Sequence, residues 1–327
     1  MVGYGEQLQR RADGQERTTA CPAGPQPTLP VPQASLPAGA ATATVNRLPV
    51  LLLPSDHYAT RHQEPVLQQL ENPVSGDVSV TDCFRPVSRF FDRISRPEQL
   101  LTALPEAMRV LTDPADTGTV TLALPQDVQA HAYDYPLHFF ADRIWSIERR
   151  VPDPGRIEEA VRLLEDCDRP LIIAGGGVLY SEAGKELETL SDRFGIPVGE
   201  TFAGKGAIQN GSPLLLGGMG VAGTASATRI ANSADLVICV GTRLSDFITG
   251  SHSLFQNPQV KFISVNVSGN DAHKQGALPI VADAREALRA LIGASAEAGI
   301  KPSEKYVHEI GIVKQEWEGI LKEEVYR

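Results

Sequence analysis

The sequence predicts an α/β protein, an incomplete α/β unit followed by a doubly wound parallel-sheet unit. Three observations carry this. Short continuous apolar runs end in Gly, Pro or Asp, the pattern of strands buried on both faces. Amphipathic helical stretches alternate with those runs. The chain has 327 residues, enough for two domains at roughly 150 residues each.

Taken in order, residues 1–20 read as a polar, Arg-rich helix fragment. Six prolines then fall between Cys21 and Pro37, and residues 21–38 are expected to be irregular. Ala40–Val45 is small and helix-compatible. The apolar run from Leu48 to Leu53 is a buried strand, ended by Pro54, Ser55 and Asp56. Leu67 and Leu70 share one face of a short helix. Pro97–Leu111 is amphipathic, with Leu100, Leu101, Leu104, Met108 and Leu111 on its apolar side and Pro105 bending it. Val120–Leu124 is the next strand. Residues 1–130 therefore form the first unit, and 131–152, aromatic and aperiodic, a linker.

Residues 153–292 form the second unit. Asp153 and Pro154 start a helix carrying Ile157, Val161 and Leu164. The strand Leu171–Ala174 runs into Gly175, Gly176 and Gly177. A helix at Glu182–Phe194 leads to a strand at Gly195–Val198, and one at Thr224–Asn232 leads to the strand Asp235–Val240, closed by Gly241. Strands at Lys261–Asn266 and Leu278–Ala282 and a helix at Asp283–Leu291 complete it. Five strands separated mostly by helices give a Rossmann-like plan, with Ile172, Ile173, Ile238, Cys239, Ile263 and Val265 buried. Residues 293–327 hold a linker and a helix whose stripe, Tyr306, Ile310, Val313, Trp317 and Leu321, must pack back, pair with a partner, or stay exposed.

Composition excludes several classes. Forty acidic against thirty basic residues give a net charge of −10, which argues against a broad nucleic-acid surface. No apolar run reaches the ~20 residues of a membrane span. Residues 1–17 lack a signal-peptide core. The four cysteines stand far apart without a C-x-x-C pair, so a reducing, cytoplasmic setting is expected.

The candidate binding residues lie at strand ends. Gly175, Gly176 and Gly177 sit between a strand and a helix, where backbone amides hold phosphates. Tyr180 occupies the place of the third glycine of the dinucleotide fingerprint, and Glu200 stands where a ribose-binding acid would. Lys205 lies in a glycine-flanked loop, but Gly206 follows it where a P-loop needs Ser or Thr. Arg243, two residues after Gly241, either meets a phosphate or pairs with Asp246; the pairing is the favoured expectation. Together Gly175, Gly176, Gly177, Lys205, Gly241 and Arg243 make a vestigial nucleotide crevice, against the plainer reading of tight turns. His57 and His62 read as solvated loop residues. No complete catalytic or metal-ligating set is found in the chain.

Four strings, Thr42–Pro54, Asp82–Val87, Leu122–Gln129 and Ala272–Pro279, resemble the thiamine-diphosphate enzymes related to acetohydroxyacid synthase. The resemblance covers about residues 39–327. It is strongest to the members that hydrolyse a carbon–carbon bond of a cyclic 1,2-diketone in inositol catabolism. It implies a partial pyrimidine-binding domain at 1–130, a central domain at 153–292, and a C-terminal helix leading toward a diphosphate-binding domain. It also implies thiamine diphosphate and Mg²⁺ in the complete enzyme, and a homo-oligomer of two or four copies. The departures are specific. The family's activating glutamate is expected upstream of the Tyr4–Arg11 helix, before Met1. Its Gly-Asp-Gly metal motif is absent, since Val78 follows Gly76 and Asp77. Its Gly-Pro-Gly turn is replaced by the proline-rich run after Cys21. The expectation is a truncated member, inactive alone and binding no cofactor alone. The rivals are a nucleotide-binding module on Gly175, Gly176, Gly177 and Arg243, and a non-catalytic oligomerisation fragment.

Overall fold

The computed structural model describes residues 30–62, 73–76 and 78–325. The helix fragment expected at 1–20, residues 21–29, and Leu67 and Leu70 lie outside the described residues. The chain forms two compact units, 1–148 and 149–327.

In the first unit a helix, α1, runs from Pro30 to Val45. This corrects the expectation of an irregular 21–38 from residue 30 onward. Pro30 and Pro32 fall in its first turn, where backbone N–H groups have no intrahelical acceptor and proline costs little. Only Pro37 is interior. The strand expected over 48–53 is split by Pro54 into β1 (Val50–Leu52) and β2 (Ser55–Asp56). Both pair in parallel with one edge of β4 (Thr119–Pro125), Leu51 opposite Val120 and Ser55 opposite Leu124. β3 (Phe90–Arg93) pairs in parallel with the other edge, Phe91 opposite Thr121. It was missed because Phe90-Phe91-Asp92-Arg93 is only half apolar. The helix α2, Leu100–Thr112, buries Ala103, Ala107 and Val110 against Ile94, Val120 and Leu122. Its small residues make the closest approach, and Leu100, Leu104 and Leu111 pack around them.

The second unit is a six-stranded parallel sheet. β5 (Pro170–Ala174), β6 (Val198–Glu200), β7 (Leu215–Gly218), β8 (Leu236–Val240), β9 (Lys261–Asn266) and β10 (Leu278–Val281) take the order β10-β9-β8-β5-β6-β7. Renumbered within the unit this is 3-2-1-4-5-6, the doubly wound order. β7 was not expected, because Leu214–Leu216 is short and runs into Gly217 and Gly218. The six residues expected in the core, from Ile172 to Val265, are all fully buried. Each such side chain contributes about 1.5–3 kcal/mol.

Helices cover both faces. Pro154–Glu165, Gly184–Phe194 and Ala284–Glu297 pack on one. Ala225–Ser233 and the C-terminal helix Glu304–Ile320 pack on the other, the latter inserting Tyr306, Ile310 and Val313. Of the expected stripe, Tyr306, Ile310 and Val313 therefore pack back, while Trp317 and Leu321 are half-buried and lie outside that cluster. Arg169 pins it through Glu309 at 2.6 Å and lies 5.0 Å above the Tyr306 ring. Lys314 Nζ donates to the Ser212 and Pro213 carbonyls at 2.8 and 2.9 Å.

Candidate functional site

Parallel sheets present ligands at their carboxyl ends, at the point where strand order reverses. In the second unit that point lies between β5 and β8, and the structure brings Gly175, Gly176, Gly177 and Gly241 together there. Gly175 N donates to Val240 O at 2.8 Å and Gly177 N to Gly241 O at 3.0 Å. A Cβ placed on Gly241 would stand 2.5 Å from Gly177 Cα. Backbone packed this closely leaves no room for a phosphate between the two turns. Two of the three glycine amides are already spent. The geometry is that of a tight strand-to-helix turn, whose helix, Gly176–Tyr180, is only five residues long.

The remaining candidates sit on the neighbouring loops. Glu200, at the end of β6, is 3% exposed and its Oε1 accepts from Gly206 N at 2.9 Å. It ties the loop that carries Lys205. Thr201 Oγ1 accepts from Gly204 N at 3.1 Å and closes the same loop. Lys205 stands exposed on it. Arg243 is half-buried on the loop after β8. The expected Arg243–Asp246 pair is not formed: among the described residues Arg243 makes no ion pair, and Asp246 Oδ2 accepts from Ser251 Oγ at 3.1 Å. Burial raises the Tyr180 phenol, and the Arg243 charge partly offsets this. The exposed rings of Phe202 and Phe247 stand 5.4 Å apart on the same loops.

Sequence reasoning missed a buried ionic cluster in the first unit. Asp56, at the end of β2, is fully buried. Its carboxylate accepts from Ser79 Oγ, from Thr81 Oγ1 at 2.6 Å, from Arg93 Nε at 2.7 Å and from His57 N at 2.8 Å. Burial pushes the Asp56 pKa up, but hydrogen bonds from Ser79, Thr81 and Arg93, with the Arg93 charge, outweigh it and hold the pKa below the usual value. Arg93 Nη2 also reaches Asp82 Oδ1 at 2.9 Å. His57 is 9% exposed with Nδ1 2.9 Å from Asp56 Oδ1, which corrects its reading as a solvated loop residue; His62 is exposed. The one signal was an acid directly after an apolar run, in Leu53-Pro54-Ser55-Asp56. A second carboxylate, Asp127, follows β4 and accepts from the backbone N–H of Ala59, Thr60, Arg61 and Val128. No group of three or more His, Cys, Asp or Glu suited to a metal occurs among the described residues.

Residues 157–291, spanning β5–β10, match the family model described as thiamine pyrophosphate enzyme, central domain. The second unit is thus similar to the central domain of the thiamine pyrophosphate enzymes. Similarity extends into the first unit. Proteins of Bacillus cereus (strain AH820), Bacillus anthracis (strain A0248) and Bacillus thuringiensis (strain Al Hakam) are each named 3D-(3,5/4)-trihydroxycyclohexane-1,2-dione hydrolase. Each is 50% identical to this chain over 285 residues, 87% of the chain. The chain spans 44% of the length of these relatives. The matched residues have the Rossmann-like strand order, and their switch-point turns are closed by backbone packing.

Proposed function

We propose that residues 1–327 provide the scaffold of a thiamine-diphosphate- and Mg²⁺-dependent hydrolase that opens a cyclic 1,2-diketone in inositol catabolism. They would supply part of the pyrimidine-binding domain and the whole central domain. The observation that carries the reading is the 50% identity sustained over 285 residues across both units. Cytoplasmic location and a homo-oligomer of two or four copies go with it. Among the described residues no helix is long and apolar enough to cross a membrane.

The residues present do not fit the diphosphate and its metal. A diphosphate–Mg²⁺ pair needs carboxylate or carbonyl oxygens held for octahedral coordination. No Gly-Asp-Gly string occurs in the sequence, and the amides of Gly175 and Gly177 are consumed in closing their crevice. Thiamine diphosphate supplies a carbanion equivalent to its enzymes, and no step through it is derived for residues 1–327. The same closed crevice weighs against the nucleotide-module reading.

The test is a chimera. The 285-residue stretch of this chain replaces its counterpart in the Bacillus cereus relative, and ring opening of the cyclic diketone is assayed with thiamine diphosphate and Mg²⁺. Retained ring opening is expected. A folded chimera that binds no cofactor would overturn the reading.

A further inference from the structure

His57 follows β2 directly, at the carboxyl edge of the first sheet. Its Nδ1 stands 2.9 Å from Asp56 Oδ1, and its backbone N–H donates to the same oxygen at 2.8 Å. An ionised carboxylate only accepts, so the shared proton resides on His57 Nδ1 and Nε2 carries the lone pair. The side chain is 10% exposed. Nε2 has no partner among the described residues, yet it is not among the buried atoms left without one. Among the described residues the ring is thus held at one nitrogen and unpartnered at the other. The carboxylate behind it is itself fixed by Ser79, Thr81 and Arg93.

We propose that His57 is an acid–base residue, oriented by Asp56, for a ligand that carries a ketone carbonyl beside further oxygen substituents. The ligand class rests on the proposed function; the orientation of the imidazole does not. In the step, Nε2 takes a proton from water as the water oxygen adds to the ketone carbon. One O–H bond breaks, one N–H and one C–O bond form, and the carbonyl π pair moves onto the carbonyl oxygen. The imidazolium, its charge offset by Asp56, returns the proton to that oxygen and gives the hydrate. Reversal expels water and exchanges the carbonyl oxygen with solvent. No oxidant, reductant or cofactor enters.

The experiment uses the 327-residue chain, cyclohexane-1,2-dione as the probe and ¹⁸O-labelled water, without thiamine diphosphate. ¹⁵N NMR of the wild-type chain reads the His57 tautomer. The Nδ1–H form is expected, with ¹⁸O incorporation on the order of 10²-fold faster than in His57→Asn, the lower end for a positioned acid–base group. His57→Asn keeps an amide donor near the Nδ1 position, so the bond to Asp56 and the fold are preserved. His57→Gln removes the base with a different shape and loses the acceleration equally. An Nε2–H tautomer overturns the proposal, as does an exchange rate in either folded variant equal to that of wild type. Should neither variant fold, the wild-type tautomer and its rate against buffer decide. Because thiamine diphosphate is left out, failure of the ring-opening reading leaves this result unchanged.

Discussion

Alanine at Gly241 should open the closed switch point of the central domain. Gly241 has φ +61°. A Cβ there would lie 2.5, 2.8 and 2.9 Å from Cα, C and N of Gly177, all backbone atoms that cannot rotate away. Gly276 supplies the control. Its φ is +64°, and a Cβ there meets nothing within 4 Å. Gly276→Ala therefore carries only the left-handed backbone penalty, about 1–2 kcal/mol. Gly241→Ala carries that penalty and forces the two turns apart. It loses the bond from Gly177 N to Gly241 O, worth about 0.5–1.5 kcal/mol, and the packing of β5 against β8 beside it. The total expected is about 3–5 kcal/mol. The assay is urea unfolding followed by Trp317 fluorescence in a Trp145→Phe background, so that only the second unit reports. Equal destabilisation by the two alanines would refute the argument that backbone contact closes the crevice.

Three further outcomes are expected. The Asp127 pKa is strongly lowered: burial raises it, but hydrogen bonds from Ala59, Thr60 and Arg61 outweigh burial. A lowered carboxyl contributes its full stability above the unfolded pKa of about 4 and loses it as pH falls through the folded value. Asp127→Asn should therefore destabilise the first unit by about 1–3 kcal/mol at pH 7 and converge with wild type in strong acid, as read by urea melts across that range. Arg169→Ala should raise amide exchange across 304–320 several-fold, because it removes the 2.6 Å pair with Glu309 and the cation above Tyr306; unchanged exchange would count against the pinning. Among the described cysteines, thiol labelling of the native chain at pH 8 should reach exposed Cys83 first and Cys167 slowly, its thiol pushed up to about 12 by burial and then by Asp235. Fully buried Cys239 should react only on unfolding.

The fold was legible where burial is two-sided. Leu171–Ala174, Leu236–Val240 and Phe262–Val265 are mainly apolar runs too short for a buried helix and rich in β-branched residues, which marks them as strands. β3 and β7 escaped because their burial comes from neighbours. Phe90–Arg93 mixes aromatics with charge, and Leu215–Gly218 ends in two glycines, of which Gly217 closely approaches Thr224. Helix α1 was missed because proline density was weighed without position, and two of its three prolines stand in the first turn. For the site, the sequence placed Gly175, Gly176, Gly177 and Gly241 at the right strand ends. It could not show that the Gly175 and Gly177 amides would donate to Val240 O and Gly241 O, which depends on the register of β5 against β8. The Asp56 cluster, with His57 beside it, was hidden because the partners of Asp56 lie 23–37 residues away at Ser79, Thr81 and Arg93.

The central proposal is that residues 1–327 provide the scaffold of a thiamine-diphosphate-dependent hydrolase and bind no cofactor by themselves. Calorimetric titration of the purified chain with thiamine diphosphate and Mg²⁺, joined to an assay for ring opening of the cyclic 1,2-diketone, tests it most directly. Loss of an essential proton-transfer group alone costs about 10²–10⁴-fold, and a cofactor that is not held forfeits its proximity advantage as well. The account predicts no binding heat at micromolar cofactor and ring opening at the buffer rate. Micromolar binding with ring opening above that rate would contradict it.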